Sequence, residues 1–289
     1  MKLDHYDFII GIDQVGAVDS KGDPKPLPIS ILYLDQNSSW KLITKDHLNN
    51  PLELKSLNYE NLFDLCIELF SIDISFCNIF ISVDAVLGLP HKINRDNDNS
   101  SNFIRKYIKQ SIRQPKWGLT AGKIFFNKIL KESGYRENSN LLRESEVSLK
   151  ANSVFKTTPF QRNIQTGTFR IWKDLASFPL SKIFIFPYDR VDPKKPHIII
   201  SEGYPTLAWK VLNNTNRTKQ DYSLLKKCLP EIKNINLIKD SLPDQKDAVM
   251  LSLFVWKLLK DEKIYLKGKN TEGAILGHHS ISEPSQDKN

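Results

Sequence analysis

Cysteine is scarce in this chain of 289 residues, and the three present, Cys66, Cys77 and Cys228, are scattered, odd in number and free of CxxC spacing. Neither a disulfide framework nor a zinc ribbon can organise the fold, and reduced thiols acting as small buried hydrophobes are expected. Long apolar runs are missing too, since nothing approaches the roughly 20 residues that a membrane helix needs. The opening MKLDHYDFIIGID carries acids inside what would have to be a signal sequence. A soluble, cytoplasmic protein with no membrane partner is therefore expected. Internal repeats and low-complexity blocks are absent, as are the GxSxG nucleophile elbow and the GxxxxGK[ST] phosphate loop. One last absence is local: from Asn99 to Lys131 there is no acid at all.

What remains is ordinary globular material, with 40% hydrophobic and 26% charged residues, enough to build a core without metal or disulfide support. YDFIIGID, from Tyr6 to Asp13, is a short apolar run ending in glycine and a carboxylate, as a buried strand does on reaching a loop. ISILYL and SWKLIT follow a glycine- and proline-punctuated stretch and predict two more strands, hence an antiparallel meander. Helical spacing of Leu62, Phe63, Leu65, Cys66, Leu69 and Phe70 predicts a helix over 59–76, with Asn58 or Ser56 as its cap. NIFISVDA, at 78–85, is again a strand ending in a carboxylate.

Residues 91–181 differ in character, with a polar opening, two expected helices at about 101–113 and 119–133, and a mixed region beyond; they read as a helical insertion. KIFIFPYD and HIIISEGYP then predict strands, Pro205 to Leu212 a helix, and Lys246 to Lys260 an amphipathic helix with Val249, Met250, Leu253, Phe254 and Leu258 inward. The expected organisation is one domain over 1–269 and a polar tail over 270–289.

Three of these strands end in an acid: Asp13 in GIDQ, Asp84 in SVDA and Glu202 in SEGYP, while Asp247 opens the last long helix in QKDAVMLS. Clustered carboxylates repel, raise one another's pKa and are costly to ionise unless a cation lies between them. Hard oxygen ligands suit Mg²⁺ or Mn²⁺, and two such ions roughly 3.5–4 Å apart support in-line phosphoryl displacement. Asp244 lies on nearly the same helix face as Asp247 and is either a reserve ligand or an acid favoured in a first helical turn. Lys246 can compensate charge in place of a second metal.

In these motifs the chain resembles the ribonuclease H-like superfamily, and within it the DUF429 family, described as predicted RNase H-like nucleases. The resemblance rests on GIDQ, SVDAVLGLP, FPYD, ISEGYPTLAW and KDAVMLSLFVWKL, with EGAILG at 272–277 similar to the family's closing segment. It implies an α/β fold with a ribonuclease H-like mixed sheet, three antiparallel strands plus parallel ones, flanked by helices. It also implies a nuclease whose catalytic metal carboxylates are Asp13, Asp84, Glu202 and Asp247, holding one or two Mg²⁺ or Mn²⁺ ions and acting on DNA or RNA.

The acid-free stretch supplies Arg105, Lys106, Lys109, Arg113, Lys116, Lys123, Lys128 and Lys131, eight positive charges, as many as the chain's net +8. With Tyr107, Trp117, Phe125 and Phe126 interleaved, it reads either as a nucleic-acid-holding arm, with Arg105, Lys109, Arg113, Lys116, Trp117, Lys123 and Lys128 as contacts, or as amphipathic helices whose aromatics are core. Two further functions compete: an RNase H-like binding or scaffolding protein that does not cleave, and an actin-like phosphotransferase, which normally needs two such domains. His197 is expected at a strand edge, Asp189 and Asp192 in a loop, and His278-His279 is too short for a metal tract.

Overall fold

The computed structural model describes residues 1–14, 23–93, 100–112, 120–136, 139, 141–151, 153–155, 163–179, 182–189, 191–192, 195–213, 222–264 and 275–277. A mixed sheet runs through its centre. Strands β1 (Phe8–Ile12), β2 (Leu27–Leu34) and β3 (Trp40–Ile43) form the expected antiparallel meander, and the two-residue β4 (Glu53–Leu54) pairs with β2. On the other side of β1 lie β5 (Ile79–Val83), β7 (Ile198–Glu202) and, at the edge, β6 (Ile183–Ile185), all parallel. Every residue of β1, β5 and β7 is buried, which is why these strands read as unbroken apolar runs rather than alternating ones.

Alternation sorts their side chains into two layers. Phe8, Ile10 and Ile12, Ile79, Ile81 and Val83, and Ile198 and Ile200 share one buried cluster with α1 (Tyr59–Phe70), α2 (Ser100–Ile112), α3 (Ala121–Glu132) and α5 (Asn163–Leu175). Ile9, Phe80 and Ile199 join the other, with α6 (Pro205–Asn213), α7 (Tyr222–Cys228) and α8 (Pro243–Lys260). The stretch read as an insertion thus supplies Phe125, Phe126, Phe169 and Trp172 to the core of the first layer. Its helix α5 also grips the meander: the Arg170 guanidinium donates to the carbonyls of Lys25 and Lys55, and Asp174 Oδ2 accepts the Leu57 N–H at 2.8 Å.

Several boundaries differ from expectation. Helix α1, capped by Asn58 accepting the Asn61 N–H, stops at Phe70 because Ser71 turns left-handed at φ 57°, and Ile74–Phe76 is a separate 3-10 turn capped by Asp73. Strand β6 is shorter than KIFIFPYD suggested, ending before Pro187, and α5 and α7 were not anticipated. Cys66 and Cys77 are buried as expected, whereas Cys228 is exposed. Among the described residues no helix is long and apolar enough to cross a membrane.

Helix α8 departs most from its pattern. It is buried nearly all along, from Gln245 to Leu259, because it lies between the sheet, at β1, β2 and β5, and α6. Gly11 makes this possible: a Cβ there would lie 1.9 Å from the Ala248 carbonyl oxygen and 2.7 Å from the Ser252 nitrogen. Ser30 Oγ fastens the same place by donating to the Ala248 carbonyl at 2.9 Å.

Two outcomes are expected. Gly11→Ala forces α8 off β1 and lowers unfolding free energy by about 2 kcal/mol or more, as overpacking does, measured by urea denaturation. Burial pushes the Asp174 carboxyl up to about 6. A raised carboxyl contributes stability that is complete below its unfolded pKa and lost as pH rises through its folded one. Stability contributed by Asp174 therefore declines as pH rises from about 4 to about 6, and Asp174→Asn flattens that part of a melting-temperature profile.

Candidate functional site

Register decides which acids meet. Ile12 pairs with Val83, and Val83 with Glu202, so Asp13 and Asp84 are the next residues out on adjacent parallel strands. Their backbones continue the ladder, with the Asp84 N–H donating to the Ile12 carbonyl at 2.9 Å and the Asp13 N–H to Pro28 at 3.1 Å. Asp13 is buried and Asp84 half-buried, and their carboxyl groups come within hydrogen-bonding reach of each other. Burial first, and then the charges of Asp84, Asp247 and Asp244, hold the Asp13 carboxyl well above the usual carboxylate range.

Asp247 comes from α8 and Asp244 from its first turn. The close approach at Gly11 brings this end of α8 to the strand ends, since Ala248, one residue beyond Asp247, is the atom neighbour that forbids a side chain on β1. Asp247 is buried, and the indole Nε1–H of Trp209, on α6, donates to its Oδ1 at 2.9 Å. Asp13, Asp84, Asp247 and Asp244 therefore form one electrostatic group, although among the described residues no three His, Cys, Asp or Glu side chains are already gathered as a metal shell.

Glu202 belongs elsewhere. It stands in the row of Ile12 and Val83, whose side chains enter the layer of α1, α3 and α5. There Arg143 grips it through both oxygens: Nη1 donates to Oε2 at 2.7 Å and Nη2 to Oε1 at 2.5 Å. The Leu87 N–H donates to the same Oε2 at 2.8 Å. Arg143 precedes the short helix α4 (Glu144–Leu149), and its backbone N–H and Nε–H both donate to Glu146. The guanidinium is completely buried, at 0% exposure, between two carboxylates. Burial alone would lower its pKa, but the charges of Glu202 and Glu146 outweigh this and raise it; burial raises that of Glu146, against the pull of Arg143.

The residues around these acids are held from several directions. Trp172 Nε1–H donates to the Val86 carbonyl at 2.7 Å, and the Val86 N–H donates to Thr168 Oγ1 at 3.2 Å, so α5 fixes the loop that leaves Asp84. Ile275 forms a parallel bridge with Glu202, and the Leu276 N–H donates to the Glu202 carbonyl at 2.9 Å. The part of the expected polar tail that is described thus packs against the sheet, and Ile275 and Leu276 are buried.

The expected nucleic-acid contacts divide. Arg105 is not a free phosphate ligand: its Nη2 donates to Asp189 at 2.5 Å and to the Ile183 carbonyl at 2.9 Å, tying α2 to the edge strand, so Asp189 is more than a loop acid. Lys109, Lys123 and Lys128 are exposed, Lys128 lying 3.7 Å from Glu132. Tyr107, Phe125 and Phe126 are buried and serve the core rather than base stacking. Arg113, Lys116, Trp117 and His278-His279 lie outside the described residues. His197 is buried, its ring edge-on to Tyr6 and Phe184.

Sequence reasoning passed over Arg143 and Trp209. Arg143 stands among acids in LLRESE, and its partner Glu202 is 59 residues away, so no local spacing announces the pair. No family model, curated protein or solved structure matches this chain. Removing the guanidinium leaves two buried carboxylates without their counter-charge, so Arg143→Met is expected to cost about 3 kcal/mol or more in chemical denaturation.

Proposed function

We propose that the protein is a divalent-metal-dependent nuclease of the RNase H-like, DUF429 kind, hydrolysing phosphodiester bonds at the Asp13–Asp84–Asp247 end of the sheet. The observation that carries this reading is the setting of Asp13: a buried carboxyl within hydrogen-bonding reach of Asp84 and close to the charges of Asp247 and Asp244. Acids so placed lose stability when ionised unless a cation joins them, and an all-carboxylate donor set suits Mg²⁺ or Mn²⁺. The order of three antiparallel strands followed by parallel ones, with acids at the strand ends, supports the same reading.

Asp13, Asp84 and Asp247 would hold the ion, with Asp244 in reserve. When bound, such an ion supplies positive charge against the phosphoryl oxygens. The protein's own part is to hold its acids in place: Trp209 orients Asp247, α5 anchors the loop behind Asp84, and Gly11 lets α8 reach the strand ends. The exposed ammonium groups of Lys106, Lys109, Lys123 and Lys128 add sequence-independent attraction for a phosphate backbone.

A second reading is favoured by the commitment of Glu202 to Arg143: a nucleic-acid-binding or scaffolding protein of this fold that does not cleave. Labelled DNA, RNA and hybrid, single- and double-stranded, incubated with Mg²⁺ or Mn²⁺, separate the two. The nuclease is expected to cleave at least one substrate only with metal, and Asp84→Asn to abolish cleavage. Salt-sensitive binding without turnover of any substrate selects the binding protein instead.

A further inference from the structure

We propose that Gln245 is a positioning residue: its buried carboxamide ties the first turn of α8 to the end of β3 and so holds Asp244 at the acidic end of the sheet, where Asp244 takes part in cleavage. This rests on the nuclease reading above and adds to it a working acid and the contact through which the third strand of the meander serves the site.

That turn needs a tether. Its N-cap, Leu242, makes no side-chain cap hydrogen bond, and Leu242, Pro243 and Asp244 are all exposed. A helix end with uncapped N–H groups and no buried side chain frays. Gln245 is the buried side chain of the turn, at 2% exposure, and its Nε2 donates to the Thr44 carbonyl. Thr44 lies one residue past β3 and is itself fixed to the sheet: the same carbonyl accepts the Leu52 N–H at 2.9 Å, and the Leu52 carbonyl accepts the Ile29 N–H of β2 at 3.0 Å.

The following turn is held separately. Asp247 is buried and accepts the Trp209 indole N–H, and Ala248 is pinned by the close approach of Gly11 and by the Ser30 hydroxyl. Asp247 therefore keeps its place without Gln245, whereas Asp244, three residues earlier on nearly the same helix face, depends on the neighbouring tether. The charge of Asp244 reaches the Asp13 carboxyl. Asp13 and Asp247 are buried and Asp84 half-buried, so Asp244 is the exposed member of this group, open to the solvent from which water and ions arrive.

The experiment is a double-mutant cycle on single-turnover cleavage, with Mg²⁺ or Mn²⁺, of the nucleic acid that the wild-type full chain cleaves. Gln245→Met keeps the length of the side chain and removes its donor. Asp244→Asn and Gln245→Met are each expected to slow cleavage by about tenfold or more, and the double variant to be within about threefold of Asp244→Asn alone, because the two residues act as a unit. A side chain that merely supports the fold would multiply its own loss onto that of Asp244→Asn. Circular dichroism checks folding, and if Gln245→Met does not fold, Gln245→Asn, whose amide stops one methylene short of Thr44, takes its place in the cycle. Losses that multiply, wild-type rates in the folded Gln245 variant, or wild-type rates in Asp244→Asn overturn the inference and leave the nuclease reading standing. No cleavage of any nucleic acid by wild type overturns that reading, and the inference with it.

Discussion

The parallel register of β1, β5 and β7 is the constraint on which the acidic end of this molecule depends. Because Ile12 meets Val83 and Val83 meets Glu202, two acids emerge side by side and a third falls one step behind them. One step on a strand is a change of face. A motif reading that treats three strand-terminal acids as equivalent cannot see this division, although it separates a cluster of acids from a carboxylate that a buried guanidinium grips.

Each face then completes its own chemistry with a helix layer. On one side α8 comes so close to β1 that only glycine fits at position 11, and the approach carries Asp247 to the strand ends while α6 supplies the Trp209 indole that holds it. On the other side the β5–β6 connection builds a hydrophobic layer from Phe125, Phe126, Phe169 and Trp172 and delivers Arg143 to Glu202. Its basic composition divides accordingly. Arg105 is structural through Asp189, whereas Lys106, Lys109, Lys123 and Lys128 are exposed. An aromatic residue between lysines on a helix is core when that face packs on another helix, as α2 and α3 do on α5, whatever the charge run around it suggests.

Much of the architecture was legible in the chain. The strands YDFIIGID, ISILYL, SWKLIT and NIFISVDA, the helices near 101–113 and 119–133, and the acids Asp13, Asp84 and Asp247 all stand where local patterns indicated. These signals survive because strand burial, helical period and terminal carboxylates are written within a few neighbouring residues. The end of α1 was missed because a serine in the left-handed region leaves no mark that glycine would. The all-round burial of α8 was missed because a helix pressed between a sheet and a second helix hides its polar-looking face.

Local sequence by itself determined most of the strands, several of the helices and the acids at strand ends, since each depends on residues close along the chain. The tertiary structure alone decided that Asp13, Asp84, Asp244 and Asp247 share one electrostatic environment, that Glu202 looks the other way, and that Arg143 answers it. Those outcomes turn on strand register and on a charge pair separated by 59 residues, and Coulombic and hydrogen-bond partners are chosen by distance in space.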